Sequence, residues 1–206
     1  AGPGAEIVRL LQEAEAPSWR VTPAVMARLS ETVTPQGILA VFPLPDPAPI
    51  PPTADLLLVL DEIRDPGNLG TILRTAQAAR VDAVLLTPGC ADPYAPKVVR
   101  AGMGAHLALR LYPDLDWDAI VAITAGTHRV LADANGPMTL WEYDWSAPVT
   151  LIVGGEAHGA STAARAAAEI GLRLPMAAET ESLNAAIATA VFLFEARRQR
   201  DTRAAT

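Results

Sequence analysis

The stretch DPGNLGTILRTA, residues 65–76, follows the apolar run LLLVLDEI and places Asn68, Gly70 and Arg74 in one short segment. A guanidinium fixed near the end of a strand suits a phosphate, or an oxyanion that develops during a reaction. Far along the chain, LIVGGEAHGAS (151–161) ends an apolar run in Gly154 and Gly155 and sets the carboxylate of Glu156 just beyond them. ESLN (181–184) then brings the hydroxyl of Ser182 and the amide of Asn184 to the head of an apolar helix. Each residue also has a plain structural reading. Asn68 and Ser182 are natural helix N-caps, and Glu156 is a solvated loop charge. Arg74, two positions beyond Ile72, projects roughly 200° away from the buried stripe of its helix, onto a solvated face. The two glycines allow a backbone to approach a ligand closely. His158 reads as a surface loop residue, and His106 and His128 lack metal-like partners.

The familiar glycine signatures do not fit. GGEAHG (154–159) lacks the spacing G-x-G-x-x-G, and GMGAHL (102–107) has Leu107 where the third glycine belongs. No G-x-x-x-x-G-K-[ST], G-x-S-x-G or H-E-x-x-H occurs, which disfavours P-loop enzymes, α/β-hydrolases and zincins.

The elements that must carry these residues follow from composition and periodicity. Half of the 206 residues are hydrophobic but only 5% are aromatic, so one well-buried core must be built from Ala, Val, Leu and Ile. The longest uncharged apolar stretch, AAIATAVFLF (185–194), is too short to span a bilayer. The opening AGPGAEIVRLLQ has no basic start leading into an apolar run, so no secretory signal is expected. A single cysteine, Cys90, excludes an internal disulfide framework and supplies too little thiolate for a zinc site; the cytoplasm is the default compartment. The net charge of −7 argues against coating nucleic acid by bulk electrostatics but leaves room for a local basic patch. Arg197, Arg198, Arg200 and Arg203 read as a solvated helix end, well placed in the helix dipole.

Residues 43–53, PLPDPAPIPPT, hold six prolines and read as a stiff, extended linker. Before it, helices are expected at 6–15 and about 23–33, and a strand at 37–42 (GILAVF). That set is too small for an independent core, so residues 1–42 read as a partial domain truncated at its N-terminus. After the linker, strands at 56–60, 83–87, 107–112, 129–133, 150–154 and 172–176 alternate with helices at about 69–79, 94–102, 117–126, 161–170 and 183–200. Several strands are continuously apolar, so the expected architecture over 54–206 is α/β, a parallel sheet with helices on both faces. Ligands of such sheets bind at the carboxyl ends of the strands, where DEIRDPGN, GGEAHGAS and PMAAETESLN lie. The last helix is apolar nearly all round through Phe194, and burial against a second subunit would satisfy it.

Taken together, DPGNLGTILRTAQAA, LIVGGEAHG and LRLPMAAETESLNAAIATAVFLFE resemble the three motifs of SpoU-type RNA 2′-O-ribose methyltransferases of the SPOUT superfamily, over about residues 53–200. PGCADPYAPKVVRAGMGA (88–105) is also similar, although Gly102 stands where a serine is common and Arg80 replaces a frequent glycine. The resemblance implies a C-terminal trefoil knot, a homodimer and S-adenosylmethionine as cofactor; from the residues themselves, no metal and no membrane are expected. It matches Gly154, Leu174 and Leu183 to cofactor contacts, with Gly155, Met176 and Ser182 nearby. It matches Arg74 to the catalytic arginine, and Asn68, Glu156, Ser182 and Asn184 to its supporting residues. TPQGILAVFPLP (34–45) resembles the end of the ribosomal-protein-like domain carried by many rRNA-modifying members, so rRNA is favoured over tRNA as the RNA partner. A tRNA ribose methyltransferase, a non-catalytic RNA-binding relative and a flavodoxin-like small-molecule binder are the alternatives. The last gives no reason for ESLN beside an apolar helix.

Overall fold

A computed structural model describes residues 3–30, 32–177, 180 and 182–204. The chain divides into two units, Ala1–Pro45 and Asp46–Thr206.

The first unit holds two helices, α1 (Pro3–Glu13) and α2 (Pro23–Leu29). Thr22 caps α2 by accepting a hydrogen bond from the Val25 N–H at 3.4 Å, and Pro23 takes the first helical position, where a missing N–H is harmless. No residue of α2 is buried. The strand expected at 37–42 does not form. Its backbone pairs with no strand among the described residues, and Val41 and Phe42 stand 88% and 69% exposed. Apolar residues give a segment strand propensity, but only a partner edge turns it into sheet.

The second unit runs β1 (Leu56–Asp61), α3 (Pro66–Ala78), β2 (Ala83–Leu86), α4 (Pro96–Gly102), β3 (Arg110–Tyr112), α5 (Trp117–Ile123), β4 (His128–Ala132), β5 (Met138–Thr139), β6 (Val149–Gly154), α6 (Thr162–Ala167), β7 (Ile170–Arg173) and α7 (Ala185–Ala204), with a 3₁₀ turn at Ala105–Leu107. The seven strands lie in the order β3-β2-β1-β6-β4-β7-β5, and every pair is parallel. Leu56, Leu58 and Leu60 point into a cluster with Leu69, Ile72 and Leu73 of α3 and Phe192 and Leu193 of α7. Leu57 and Val59 point the other way, towards Ile120 of α5 and Ala164 of α6. With helices on both faces, both registers of the strand are buried, which is why LLLVL carries no polar residue. β5 is two residues long and was not legible as a strand.

Two glycine positions matter for this packing. A Cβ on Gly70 would stand 2.5 Å from Ala101 Cβ and 2.7 Å from the Val98 carbonyl, so glycine lets α3 and α4 touch. Arg80 takes φ +60° just past the end of α3, where its N–H donates to Gln77 O and the Val81 N–H donates to Ala76 O. That is a Schellman ending with arginine in the position that favours glycine. The second half of the proline segment is anchored on this unit: the Tyr112 hydroxyl donates to Ala48 O at 2.6 Å, and Ile50 packs against the same buried cluster as Tyr112 and Leu115.

Candidate active site

Strand order reverses beside β1, whose neighbours are β2 and β6, and this opens a crevice between the loops that follow β1 and β6. The register pairs Asp61 with Gly154 at the two strand ends. Asp61 is buried, accepting the Ser161 N–H at 2.7 Å and the Thr87 hydroxyl at 3.3 Å, so one carboxylate ties three loops together. The paired glycines serve the same convergence. A Cβ on Gly154 would stand 2.2 Å from Ala160 N, and one on Gly155 2.5 Å from Glu62 O. Their close approach is to the chain's own loops, not in the first place to a ligand.

Across this crevice three side chains join. Asn68 Nδ2 donates to Glu156 Oε1 at 2.6 Å, and Asn184 Nδ2 donates to Asn68 Oδ1 at 2.9 Å. Asn184 Oδ1 in turn accepts the N–H groups of Ala186 and Ile187 at 2.9 and 3.3 Å. The cap of α7 is therefore Asn184 and not Ser182. Nor is Asn68 the cap of α3. Asp65 takes that role, accepting the Asn68 N–H at 2.8 Å, with Pro66 at the first helical position. Relieved of capping, Asn68 lies in the first turn with its side chain free to bridge. The direction of the whole chain is fixed: helix N–H groups demand the oxygen of Asn184, which turns its nitrogen to Asn68, which turns its own nitrogen to Glu156.

Beside this chain of hydrogen bonds lies a cavity of about 300 Å³. Gly154, Gly155, Leu174, Met176, Ser182 and Leu183 all line it, and Glu156 stands on its wall. Leu172, Ala188 and Phe192 complete an apolar side. The polar side holds Asp133, Asn135 and Arg165, none of which was singled out from sequence. Asp133 directly follows β4, as Asp61 ends β1; an acid closing an apolar strand was the signal available. Burial alone would raise the Asp133 carboxyl, but the Asn135 N–H and the Arg165 guanidinium outweigh it and hold the group below the usual carboxylate range.

Arg74 stands apart from this cluster. It is exposed on α3, and its side chain makes no hydrogen bond or ion pair among the described residues. Six residues separate it from Asn68, about 240° of helix rotation, so the two side chains leave α3 in different directions. His158 is exposed in the loop after β6, and His128 forms a surface pair with Glu169 at 3.1 Å. Arg200 donates to the carbonyls of Trp145, Ala147 and Asp55, and Arg198 pairs with Glu195, so these two C-terminal arginines serve the fold. No helix among the described residues is long and apolar enough to cross a membrane, and no group of His, Cys, Asp and Glu among them could hold a metal ion.

Residues 55–194 match the SpoU rRNA methylase family, and residues 2–48 match a family described as RNA 2′-O ribose methyltransferase substrate binding. An uncharacterized tRNA/rRNA methyltransferase of Synechocystis is 39% identical over 189 residues, which cover 88% of this chain and 68% of that protein. The 23S rRNA (guanosine(2553)-2′-O)-methyltransferase of Bacillus subtilis is 35% identical, over 82% of this chain and 68% of its own. The chain spans about half the length of the mitochondrial relatives it matches, 54% in the case of the mouse rRNA methyltransferase 3, at 34% identity. Among solved structures, the AdoMet-bound rRNA methyltransferase of Sinorhizobium meliloti superposes with a TM-score of 0.78 at 32% identity, covering 95% of this chain and 77% of that one. The family match spans residues 55–194, from β1 into α7, and so includes Asn68, Glu156 and Asn184: the chain belongs to the SpoU rRNA methylase family of S-adenosylmethionine-dependent RNA methyltransferases.

Proposed function

We propose that this protein methylates a ribose 2′-hydroxyl in RNA, with rRNA favoured over tRNA, and that the cavity beside Glu156 holds its S-adenosylmethionine. The observation that carries this reading is that the three residues matched to cofactor contacts, Gly154, Leu174 and Leu183, line one cavity together with Gly155, Met176 and Ser182 beside them, while Asn68, Glu156 and Asn184 are hydrogen-bonded at its edge. The cavity fits the cofactor's chemistry, with an apolar side for a flat base and a polar side for a sugar. S-adenosylmethionine, when bound, supplies a methyl group on a positively charged sulfur.

The chain's own residues have three tasks: to align the hydroxyl, to see its proton removed, and to stabilise negative charge on the oxygen. A guanidinium stays protonated in proteins, so Arg74 does not act as a base. Its match to the family's catalytic arginine, and not a contact with the Asn68 cluster, assigns it to orient the ribose and its adjoining phosphate and to stabilise the developing oxyanion. The proton passes to a phosphate oxygen of the substrate. Glu156 holds Asn68 in a single orientation, and Ser182 and Asn184 frame the edge where the two substrates meet.

The same reading assigns residues 1–42 to RNA binding, 43–53 to a linker and 54–206 to the methyltransferase domain, whose C-terminal segment threads into a trefoil knot. Support for the knot is the return of the chain after β7 to the crevice, where Asn184 bonds back to Asn68. A homodimer is part of the proposal, because Ile187 and Phe194 of α7 stand 56% and 51% exposed. One half-buried cysteine suits a reducing compartment such as the cytoplasm.

Labelled S-adenosylmethionine with deproteinised rRNA and tRNA tests the reaction, since a 2′-O-methyl group protects the neighbouring phosphodiester from alkali. Label in alkali-resistant dinucleotides from rRNA is expected, falling about 10²- to 10³-fold in Arg74→Ala, the usual cost of losing one oxyanion donor. Label on tRNA alone would overturn the substrate choice. Cofactor binding without transfer to either RNA would favour a non-catalytic RNA-binding role.

A further inference from the structure

Asp133 presents a fixed carboxylate on the polar side of the cavity, and its surroundings specify what it can bind. The chain holds it in several ways. Its N–H donates to Leu172 O at 3.0 Å, and its carbonyl accepts the Gly136 N–H at 2.9 Å. Oδ1 accepts the Asn135 N–H at 3.1 Å, and Oδ2 accepts from Arg165 Nη1 at 2.5 Å. The turn itself is pressed onto β7, since a Cβ on Gly136 would stand 2.6 Å from the carbonyl of Gly171. The carboxylate therefore cannot swing out of the wall.

Two donors leave acceptor capacity unused, because an ionised carboxylate offers about four lone-pair sites. Its side chain is 17% exposed and that of Arg165 is 49% exposed. The pairing decides the kind of ligand group that fits. A cationic group such as an ammonium would approach the Arg165 guanidinium and be repelled, whereas a neutral hydroxyl gains a charged acceptor without that penalty. The apolar side, with Leu172, Leu174, Met176 and Phe192, suits the base and leaves the polar side to the sugar. An acid at the carboxyl end of a parallel strand is also where α/β sheets recognise ribose.

Building on the reading of the cavity given above, we propose that Asp133 accepts a hydrogen bond from a ribose hydroxyl of S-adenosylmethionine, with Arg165 as the residue that positions it. The test is calorimetric binding of S-adenosylhomocysteine and of its 2′-deoxy and 3′-deoxy counterparts to the whole chain, as wild type and as Asp133→Ala. The wild type is expected to bind one of the deoxy compounds about tenfold more weakly, the loss typical of one hydrogen bond to a charged group. Asp133→Ala should bind S-adenosylhomocysteine about tenfold more weakly and no longer distinguish it from that deoxy compound. A merely structural role would weaken all three ligands alike in the variant, and that result overturns the proposal. Equal wild-type affinity for all three overturns it without any variant, which keeps the test decisive if Asp133→Ala fails to fold. Binding of S-adenosylhomocysteine with indifference to the hydroxyls sinks only this inference; failure of the wild type to bind any of the three sinks the cavity assignment as well.

Discussion

Asn68 is held from both ends, by Glu156 through its nitrogen and by Asn184 through its oxygen. Such a chain is worth more in direction than in stability. Glu156 and Asn184 are exposed and Asn68 is half-buried, so each hydrogen bond competes with water and contributes about 0.5–1.5 kcal/mol. What Glu156 adds is the exclusion of the flipped amide, which would turn the Asn68 carbonyl towards a carboxylate. Glu156→Ala and Asn68→Ala should therefore each lower kcat while leaving Tm within a few degrees. The double variant should lose little more than the worse single one, a coupling of about 1–2 kcal/mol in a double-mutant cycle. Additive losses in kcat would mean that the two residues act separately. Sequence came close to this arrangement and mistook its capping. DPGN offers two cap residues, and Pro66 at the first helical position was the physical cue that picks Asp65 over Asn68. ESLN poses the same choice; there the first helical hydrogen bond, from Ala188 N to Asn184 O, starts the helix one residue after Asn184. In both places the misplaced cap hid the reason for the asparagine, which is to face its counterpart 116 residues away.

α7 is fixed to the sheet by a polar clamp as well as by its apolar side. Glu195, 8% exposed at its side chain, accepts from Arg198 and from Gln199, and Gln199 also takes the Trp145 N–H and donates to Tyr143 O. Trp145 is fully buried against Phe192, edge to face, with its indole N–H on Leu140 O. The Arg198 hydrogen bond, ahead of burial and of Gln199, sets the Glu195 carboxyl below its ordinary range. For a carboxylate lowered in the folded state, the stability it contributes is complete above its unfolded value and is lost as pH falls through the lower folded one. Thermal unfolding of wild type and Glu195→Gln, followed from pH 7 downward, should show a gap in Tm that narrows below about pH 4, the unperturbed glutamate range. A gap that stayed constant or widened with acid would show that the clamp does not depend on the charge. At this scale most strands and helices of the second unit were legible because each was either continuously apolar or amphipathic, whereas the two-residue β5 was not, and the strand expected from residue 107 begins only at Arg110, after a 3₁₀ turn. The strand expected at 37–42 failed because propensity names a segment and not its partner. The insertion of β6 between β1 and β4 was equally out of reach, since pairing between β1 and β6 spans some ninety residues and leaves no mark on local pattern.

Within the described residues of the second unit, one face of α7 stands without cover. Ile187 and Phe194, 56% and 51% exposed, stand seven residues apart and so share a side of the helix, with half-buried Val191 between them. Leu183, 41% exposed, precedes them at the helix head and also lines the cavity. Large side chains spaced in this way form a stripe, whereas singly scattered ones would need no explanation. A second copy packed against this face would bury the stripe and, through Leu183, would help to close the cavity. Sedimentation equilibrium at micromolar concentration is therefore expected to give twice the chain mass. Ile187→Glu combined with Phe194→Glu should give the single mass with unchanged far-UV circular dichroism. Because Leu183 belongs to both the stripe and the cavity, the same variant should also bind S-adenosylhomocysteine more weakly, although neither substituted residue lines the cavity. A wild type that stays monomeric would remove the dimer from the proposal. A dimer indifferent to the two charges would move the interface elsewhere, and a monomeric variant with full affinity would separate assembly from cofactor binding.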